Sequence, residues 1–230
     1  MLTILYRACD KELEQPPKRE GRPHWFSKIN NFKSIHASIQ NSKYKNSIKL
    51  ITLMDGNPSI LSDFISSLNY EIIFTKTGSN NDSLKYQLNY AKDLDTDLYF
   101  LEDDYLHTEN AITHIIHGIS KFGLVTGYDH YDRYSRNDDI TMGCESIYFH
   151  EGLHWRTCES TTCTWAVKKD IFKNILPIAE NFLLHDREFF RFLNRNNIKL
   201  YSPIPALSTH VHEPYMSPGI DWEKIATKEI

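Results

Sequence analysis

Short apolar or β-branched runs alternate with stretches of helical periodicity through the first half of the chain. Leu2 to Tyr6, Ile48 to Leu53, Glu71 to Thr75 and Leu98 to Leu101 predict strands. Between them, Ile29, Phe32, Ile35 and Ile39 recur at helical spacing. So do Ile60, Leu61, Phe64, Ile65 and Leu68, behind an Asn57 cap with Pro58 at the first helical position. Leu84, Leu88 and Ala91 mark a third helix, and Ile112, Ile115, Ile116 and Ile119 a fourth that starts at a Thr108 cap and is flanked by His114 and His117. This alternation predicts an α/β fold with a mainly parallel central sheet flanked by helices.

The pattern loosens after the run Phe122 to Thr126. A polar, aromatic loop from Gly127 to Asp139 leads to Ser146 to Phe149 and Thr161 to Val167, which predict strands of a mixed sheet. Helical signals return over Lys169 to Leu176 and Asp186 to Asn194, before a strand from Ile198 to Tyr201. Pro205, Pro214, Pro218 and Gly219 predict a mostly irregular tail, and Gln15 to Pro23 an exposed loop. With no repeat and no low-complexity linker, the chain reads as one domain of 230 residues.

Composition adds exclusions. Hydrophobic residues at 40%, charged at 24% and a formal charge of -4 describe a soluble globular protein with no electrostatic call on nucleic acid. The apolar start from Met1 to Leu5 is too short for a signal sequence, and no segment reaches membrane-spanning length, so a cytoplasmic location is expected. Four cysteines without a CxxC pair predict reduced thiols. The 13 Tyr and 12 Phe suit a cleft that stacks on rings or sugars, and equally an aromatic core with Tyr rims. Tyr148 and Trp155 are expected to be open to a sugar, Trp165 to lie in the core, and His150 and His154 are weaker candidates for the same face.

Candidate chemistry gathers at the predicted strand ends, where open parallel sheets bind ligands. Arg7 and Asp10 follow the first strand, Asp55 the second, and Glu102-Asp103-Asp104 the fourth. Three adjacent carboxylates repel one another, and a solvated acidic turn is their ordinary reading. At the end of a buried strand, a shared divalent cation or a bound sugar accounts for them better. His210 and His212, two apart in an extended segment, face the same way and are further candidates for that cation.

The block Asp97-Leu98-Tyr99-Phe100-Leu101-Glu102-Asp103-Asp104 resembles the strand and DxD motif of the GT-A class of nucleotide-sugar-dependent glycosyltransferases. His185-Asp186-Arg187-Glu188 is similar to the segment that carries the catalytic base in inverting members, with Asp186 at the base position. The resemblance implies a single GT-A-like, Rossmann-like domain: residues 1–126 for the nucleotide sugar, 127–204 for the acceptor side, and 205–230 as a tail or lid. It implies Mn2+ or Mg2+ at Glu102 and Asp104, with His210 and His212 available to complete the shell. Arg7, Asp10, Asp55, Lys85 and Asp103 would serve the donor, expected to be a UDP-sugar, and the acceptor would be a glycan or glycoprotein. Two departures stand out: Glu102 replaces the first Asp, and Leu84-Lys85 stand where many members carry Arg-Asn.

Other readings share these residues. A metal-dependent phosphohydrolase or nucleotidyltransferase would use the same carboxylates but calls for a second acidic cluster. A non-catalytic nucleotide-sugar-binding domain would leave Asp186 as a helix cap, a role compatible with catalysis as well.

Overall fold

An apolar run without polar alternation needs cover on both faces, and β1 (Leu2–Cys9) has it, with every residue but the last buried. The computed structural model describes residues 1–10, 21–134, 144–183 and 185–228. In it β1 pairs in parallel with β2 (Ile48–Asp55) on one side and β4 (Asp97–Glu102) on the other, and β3 (Glu71–Thr75) adds beyond β2. Five further strands complete a nine-stranded sheet: β6 (Leu124–Val125), β7 (Ile147–His150), β8 (Leu153–Cys158), β9 (Trp165–Val167) and β10 (Leu200–Ile204). The order is β3-β2-β1-β4-β9-β6-β10-β8-β7, parallel through the first half and mixed in the second, as expected. A separate ribbon pairs β5 (Tyr105–His107) with β11 (Ser208–His210).

Helices cover both faces. Residues of α1 (Lys28–Asn41), α2 (Ile60–Ser67) and α4 (Ala111–Phe122) share one buried cluster with Ile4, Tyr6, Tyr99 and Leu101. Those of α3 (Asn80–Ala91), α5 (Lys169–Phe182) and α6 (Asp186–Arg195) share the other with Leu5, Ile51 and Phe100. Alternate residues along β1 and β4 thus point to opposite helical layers, as the period of two requires.

Helix α1 also carries a buried polar stripe beside its apolar one. Asn31 donates to the Asp103 carbonyl at 2.9 Å, Ser34 accepts the His107 N–H at 3.0 Å, and Ser38 accepts the Ile112 N–H at 3.0 Å. The stripe satisfies peptide groups of a chain segment that leaves the main sheet at β4 and, before α4, has a strand partner on one edge only, β11.

Several expectations are corrected. Ser59, rather than Asn57, caps α2: its hydroxyl accepts the Ser62 N–H while Ser62 takes the Ser59 N–H, satisfying two orphan donors at once. Helix α4 starts after Asn110, not at Thr108. Of Thr161 to Val167 only the last three residues form a strand, because Cys163 turns to φ +40° and breaks the extended run. Strand β8 escaped prediction, and its Trp155 is fully buried rather than open to a sugar. Gly118 of α4 makes the room: a Cβ there would lie 2.6 Å from the Trp155 ring. Trp165 is core as expected, stacked on Phe100 at 4.3 Å.

Most of the described tail lies outside helix and strand, as expected, but it is packed rather than loose. It supplies β11 and α7 (Trp222–Ala226), and Ala206, Val211, Trp222 and Ala226 pack with Phe26 and Leu106 in a third buried cluster. Of the expected loop Gln15 to Pro23, residues 15–20 lie outside the described residues, as do 135–139 of the loop after Gly127. Gly21 to Pro23 are not exposed, and the Arg22 side chain is 1% accessible. No helix among the described residues is long and apolar enough to cross a membrane.

Candidate functional site

The carboxyl ends of β1, β2 and β4 open on a cleft of about 510 Å³. Parallel register sets its first contact, because Arg7 and Glu102 are Cα partners across β1 and β4, and their side chains form an ion pair. Arg7 also donates to the Asn80 side chain at the start of α3. Lys28, at the start of α1, places Nζ 2.8 Å from Asp103 Oδ2 and donates to the Cys9 carbonyl at 3.1 Å. Arg22 meets Asp104 Oδ2 at 2.7 Å, and the same oxygen lies 2.9 Å from His210 Nε2. Each carboxylate of the acidic turn therefore has its own cation, and the repulsion expected of three neighbouring charges is relieved internally.

Burial and pairing divide these groups. Burial pushes the Glu102 carboxyl above the usual range, against the pull of Arg7. Burial acts the same way on Asp104, but His210 and Arg22 outweigh it and hold that carboxyl below the usual range. Burial opposes the charge on Lys28, and Asp103 more than compensates, so its ammonium titrates above an ordinary lysine. Asp104 keeps one buried oxygen, Oδ1, without a hydrogen-bond partner. Among the described residues no group of three or more His, Cys, Asp or Glu side chains could hold a metal ion.

The other predicted residues divide by position. Asp55 borders the cleft, but its carboxylate accepts the N–H groups of Thr77 at 2.6 Å and Gly78 at 3.0 Å. Burial works to raise its pKa and those donors prevail, leaving it lowered. Asp55 thus shapes the turn leading to α3. Asp10 accepts the Asn57 N–H at 2.9 Å and closes over Gly56, where a Cβ would lie 2.4 Å from its carboxyl. Lys85 lies outside the cleft, half exposed, 3.8 Å from Asp82. The His210 ring stacks on Tyr105 at 5.4 Å and shares a face with His212 at 5.9 Å, as the spacing implied. His212 itself seats against Gly21, where a Cβ would come within 2.2 Å of the ring. Tyr148, His150 and His154 sit on the β7–β8 hairpin at the outer edge of the sheet and line neither this cleft nor the next.

Asp186 is the first residue of α6, with His185 at the cap position and no side-chain cap bond. Its carboxylate turns to Cys163, accepting the backbone N–H at 3.2 Å. Burial raises its pKa to about 6, more than the Cys163 donors and Arg7 lower it. Asp186 and Thr162 form the wall shared with a second cleft of about 390 Å³. That cleft is rimmed by His130 and Tyr215, stacked at 5.6 Å, and floored by Arg133. Arg133 and Arg156 converge on buried Asp129, with Arg156 at 2.5 Å, and Arg133 also donates to the Ser160 carbonyl.

Arg22, Lys28, Asn80 and Cys163 were not singled out from sequence. Lys28 had a signal, since it opens the polar stripe of α1 three residues before Asn31. Arg22 sits in a charged, proline-rich stretch that offered none.

No protein-family model matches this chain, and no curated protein matches it by sequence. Solved structures do match in fold. A nucleotidyl transferase from Methanothermobacter thermautotroptrophicus aligns with TM-score 0.52 and 8% identity, over 88% of this chain and 86% of that one. The galactosyltransferase LgtC, in complex with donor and acceptor sugar analogs, aligns with TM-score 0.50 and 11% identity, over 87% and 72%. S. aureus TarS gives TM-score 0.50 and 11% identity, over 87% of this chain and 36% of that one. At these identities the likeness is one of fold, and it bears out the α/β architecture with a helix-flanked central sheet.

Proposed function

We propose that this protein is a metal-dependent glycosyltransferase, moving a sugar from a nucleotide-sugar donor to a hydroxyl of a glycan or glycosylated protein with inversion at the anomeric carbon. The observation that carries this reading is the position of Asp186, on the wall between a cleft lined with cations and acids and a second cleft rimmed by aromatic rings. A single displacement needs that arrangement: the leaving diphosphate on one side of the sugar and the acceptor hydroxyl, with its base, on the other.

The donor cleft is suited to a diphosphate. Arg7, Lys28 and Arg22 border it, and so do Ser79 and Asn80 at the N-terminus of α3, whose backbone dipole favours negative charge. Asp103, held by Lys28, is the candidate for ribose or sugar hydroxyls, and a UDP-sugar is the expected donor. A divalent Mn2+ or Mg2+ supplies Lewis-acid neutralisation of the leaving diphosphate when bound. Asp104 and His210 would hold it, since Asp104 Oδ1 is buried without a partner and such ions commonly take one or two protein ligands with phosphate oxygens in the rest. Glu102 is paired with Arg7, and the His212 ring packs closely over Gly21, so neither is included.

On the acceptor side, a carboxylate with its pKa near 6 stays ionised at neutral pH and still accepts a proton effectively. Asp186 takes the acceptor hydroxyl proton as the oxygen attacks. The Tyr215 and His130 rings offer an apolar face to a sugar.

A second reading has a specific support: the three cations would grip a nucleoside triphosphate equally well, which suits a nucleotidyltransferase. The deciding experiment incubates the protein with Mn2+ and a panel of nucleotide sugars, and separately with nucleoside triphosphates and sugar 1-phosphates. Transfer from a nucleotide sugar, with the product anomer inverted by NMR, supports the glycosyltransferase. Pyrophosphate release from the second mixture alone supports the nucleotidyltransferase, and binding without turnover in both leaves a binding domain.

A further inference from the structure

We propose that Cys163 is a positioning residue that sets the aim and basicity of Asp186, and that Tyr105 fixes the turn on which Cys163 rides. The proposal rests on the reading of Asp186 as the base.

Cys163 offers Asp186 two donors. Its backbone N–H reaches Oδ2 at 3.2 Å, and its sulfur lies 3.4 Å from Oδ1 and 3.5 Å from Oδ2. A thiol donates only while protonated. Burial keeps it so, raising the Cys163 pKa well above the usual thiol value, with Glu102 and Asp186 acting in the same direction. The backbone supports the same purpose. Cys163 has φ +40°, in the left-handed region that a residue with a Cβ adopts only when its surroundings impose it. One imposed contact is visible at the preceding residue, where the buried Tyr105 hydroxyl donates to the Thr162 carbonyl at 2.8 Å.

Tyr105 directly follows Asp104, so the acidic turn at the donor and the carboxylate facing the acceptor are joined through Tyr105, Thr162 and Cys163. Such a link fixes the spacing between the two ends of an in-line displacement, where small misplacements are expensive. The other charged groups around Asp186 do not replace Cys163. Arg7 favours the carboxylate through space, Glu102 lies across the cleft and is itself raised by Asp186, and on α6 the neighbours are His185, Arg187 and Glu188.

The test is an NMR titration of isotope-labelled aspartate carboxyls in the full chain, comparing wild type with Cys163→Ala, Cys163→Ser and Tyr105→Phe, each first shown folded by circular dichroism. Asp186→Asn assigns the resonance. Removing a thiol donor to the charged form raises the pKa, and a hydrogen bond of ordinary net strength corresponds to about 0.7 of a unit. Cys163→Ala is therefore expected to titrate higher than wild type, Cys163→Ser to return toward it because the hydroxyl still donates, and Tyr105→Phe to move it upward. An unchanged Asp186 titration in folded Cys163→Ala, or no recovery in Cys163→Ser, overturns the proposal. In transfer assays the acidic limb of kcat should move with the same titration. A carboxyl that moves while that limb stays put upholds the Cys163 contact and removes Asp186 as the base.

Discussion

Arg7 and Glu102 are the last paired residues of β1 and β4, and their side chains join in an ion pair at the carboxyl edge of the sheet. The sheet register thus delivers a cation and an acid to the same point. Both are largely withdrawn from water, at 8% and 18% side-chain accessibility. Removing one partner of a buried pair costs about 3–5 kcal/mol, because the other is stranded. Arg7→Ala is expected to lower the melting temperature by roughly 6 °C or more in a chain of this size. Adding Glu102→Ala should restore much of the loss. A double variant as unstable as the single one would mean that Arg7 acts through Asn80 instead.

The unpartnered Oδ1 makes Asp104 the best-placed ligand for a divalent ion. Asp104→Ala should weaken Mn2+ binding more than tenfold, a loss reached even by outer partners of metal ligands. Calorimetry reads this directly, and wild-type affinity in the variant would take Asp104 out of the metal site.

Asp186→Asn keeps the shape of the side chain and its capacity to accept the Cys163 N–H while abolishing basicity. Donor and metal affinities should survive, and turnover should fall about 100-fold or more, the usual scale for loss of a general base. Near wild-type transfer, or a product that retains the donor's anomeric configuration, would rule Asp186 out.

The same substitution has a stability signature with a definite sign. Burial raises the folded-state pKa of Asp186 to about 6, above that of an unfolded aspartate, so the native state binds this proton more tightly. Its contribution is favourable at acid pH and is lost as pH rises toward 6. Asp186→Asn should therefore melt above wild type at neutral pH, with the gap closing toward pH 4. A difference independent of pH would show that Asp186 titrates normally.

The acid turn and the strands that carry it were legible in the sequence because they depend on local pattern. Leu98 to Leu101 is an unbroken apolar run and must be buried, so Glu102 to Asp104 must lie where the strand emerges. The alternation of strands with helices fixed the α/β class for the same reason. That His210 and His212 face the same way was legible in their spacing, but the contact of His210 with Asp104, 106 residues away, is made by the β5–β11 ribbon, which sets His210 opposite Tyr105.

What tertiary structure alone decided is who neutralises whom. Lys28 and Arg22 are 75 and 82 residues from the carboxylates they meet, and nothing local distinguishes them from solvated surface charges. Lys85 looked equally suitable and stands outside the cleft. Trp155 is buried because α4 has a glycine opposite it, a fact about two segments at once. Local sequence determines periodicity and hence elements, through side-chain burial on one face or both. Which charges share a low-dielectric pocket depends on how distant segments are folded together, and that is settled only by packing of the whole chain.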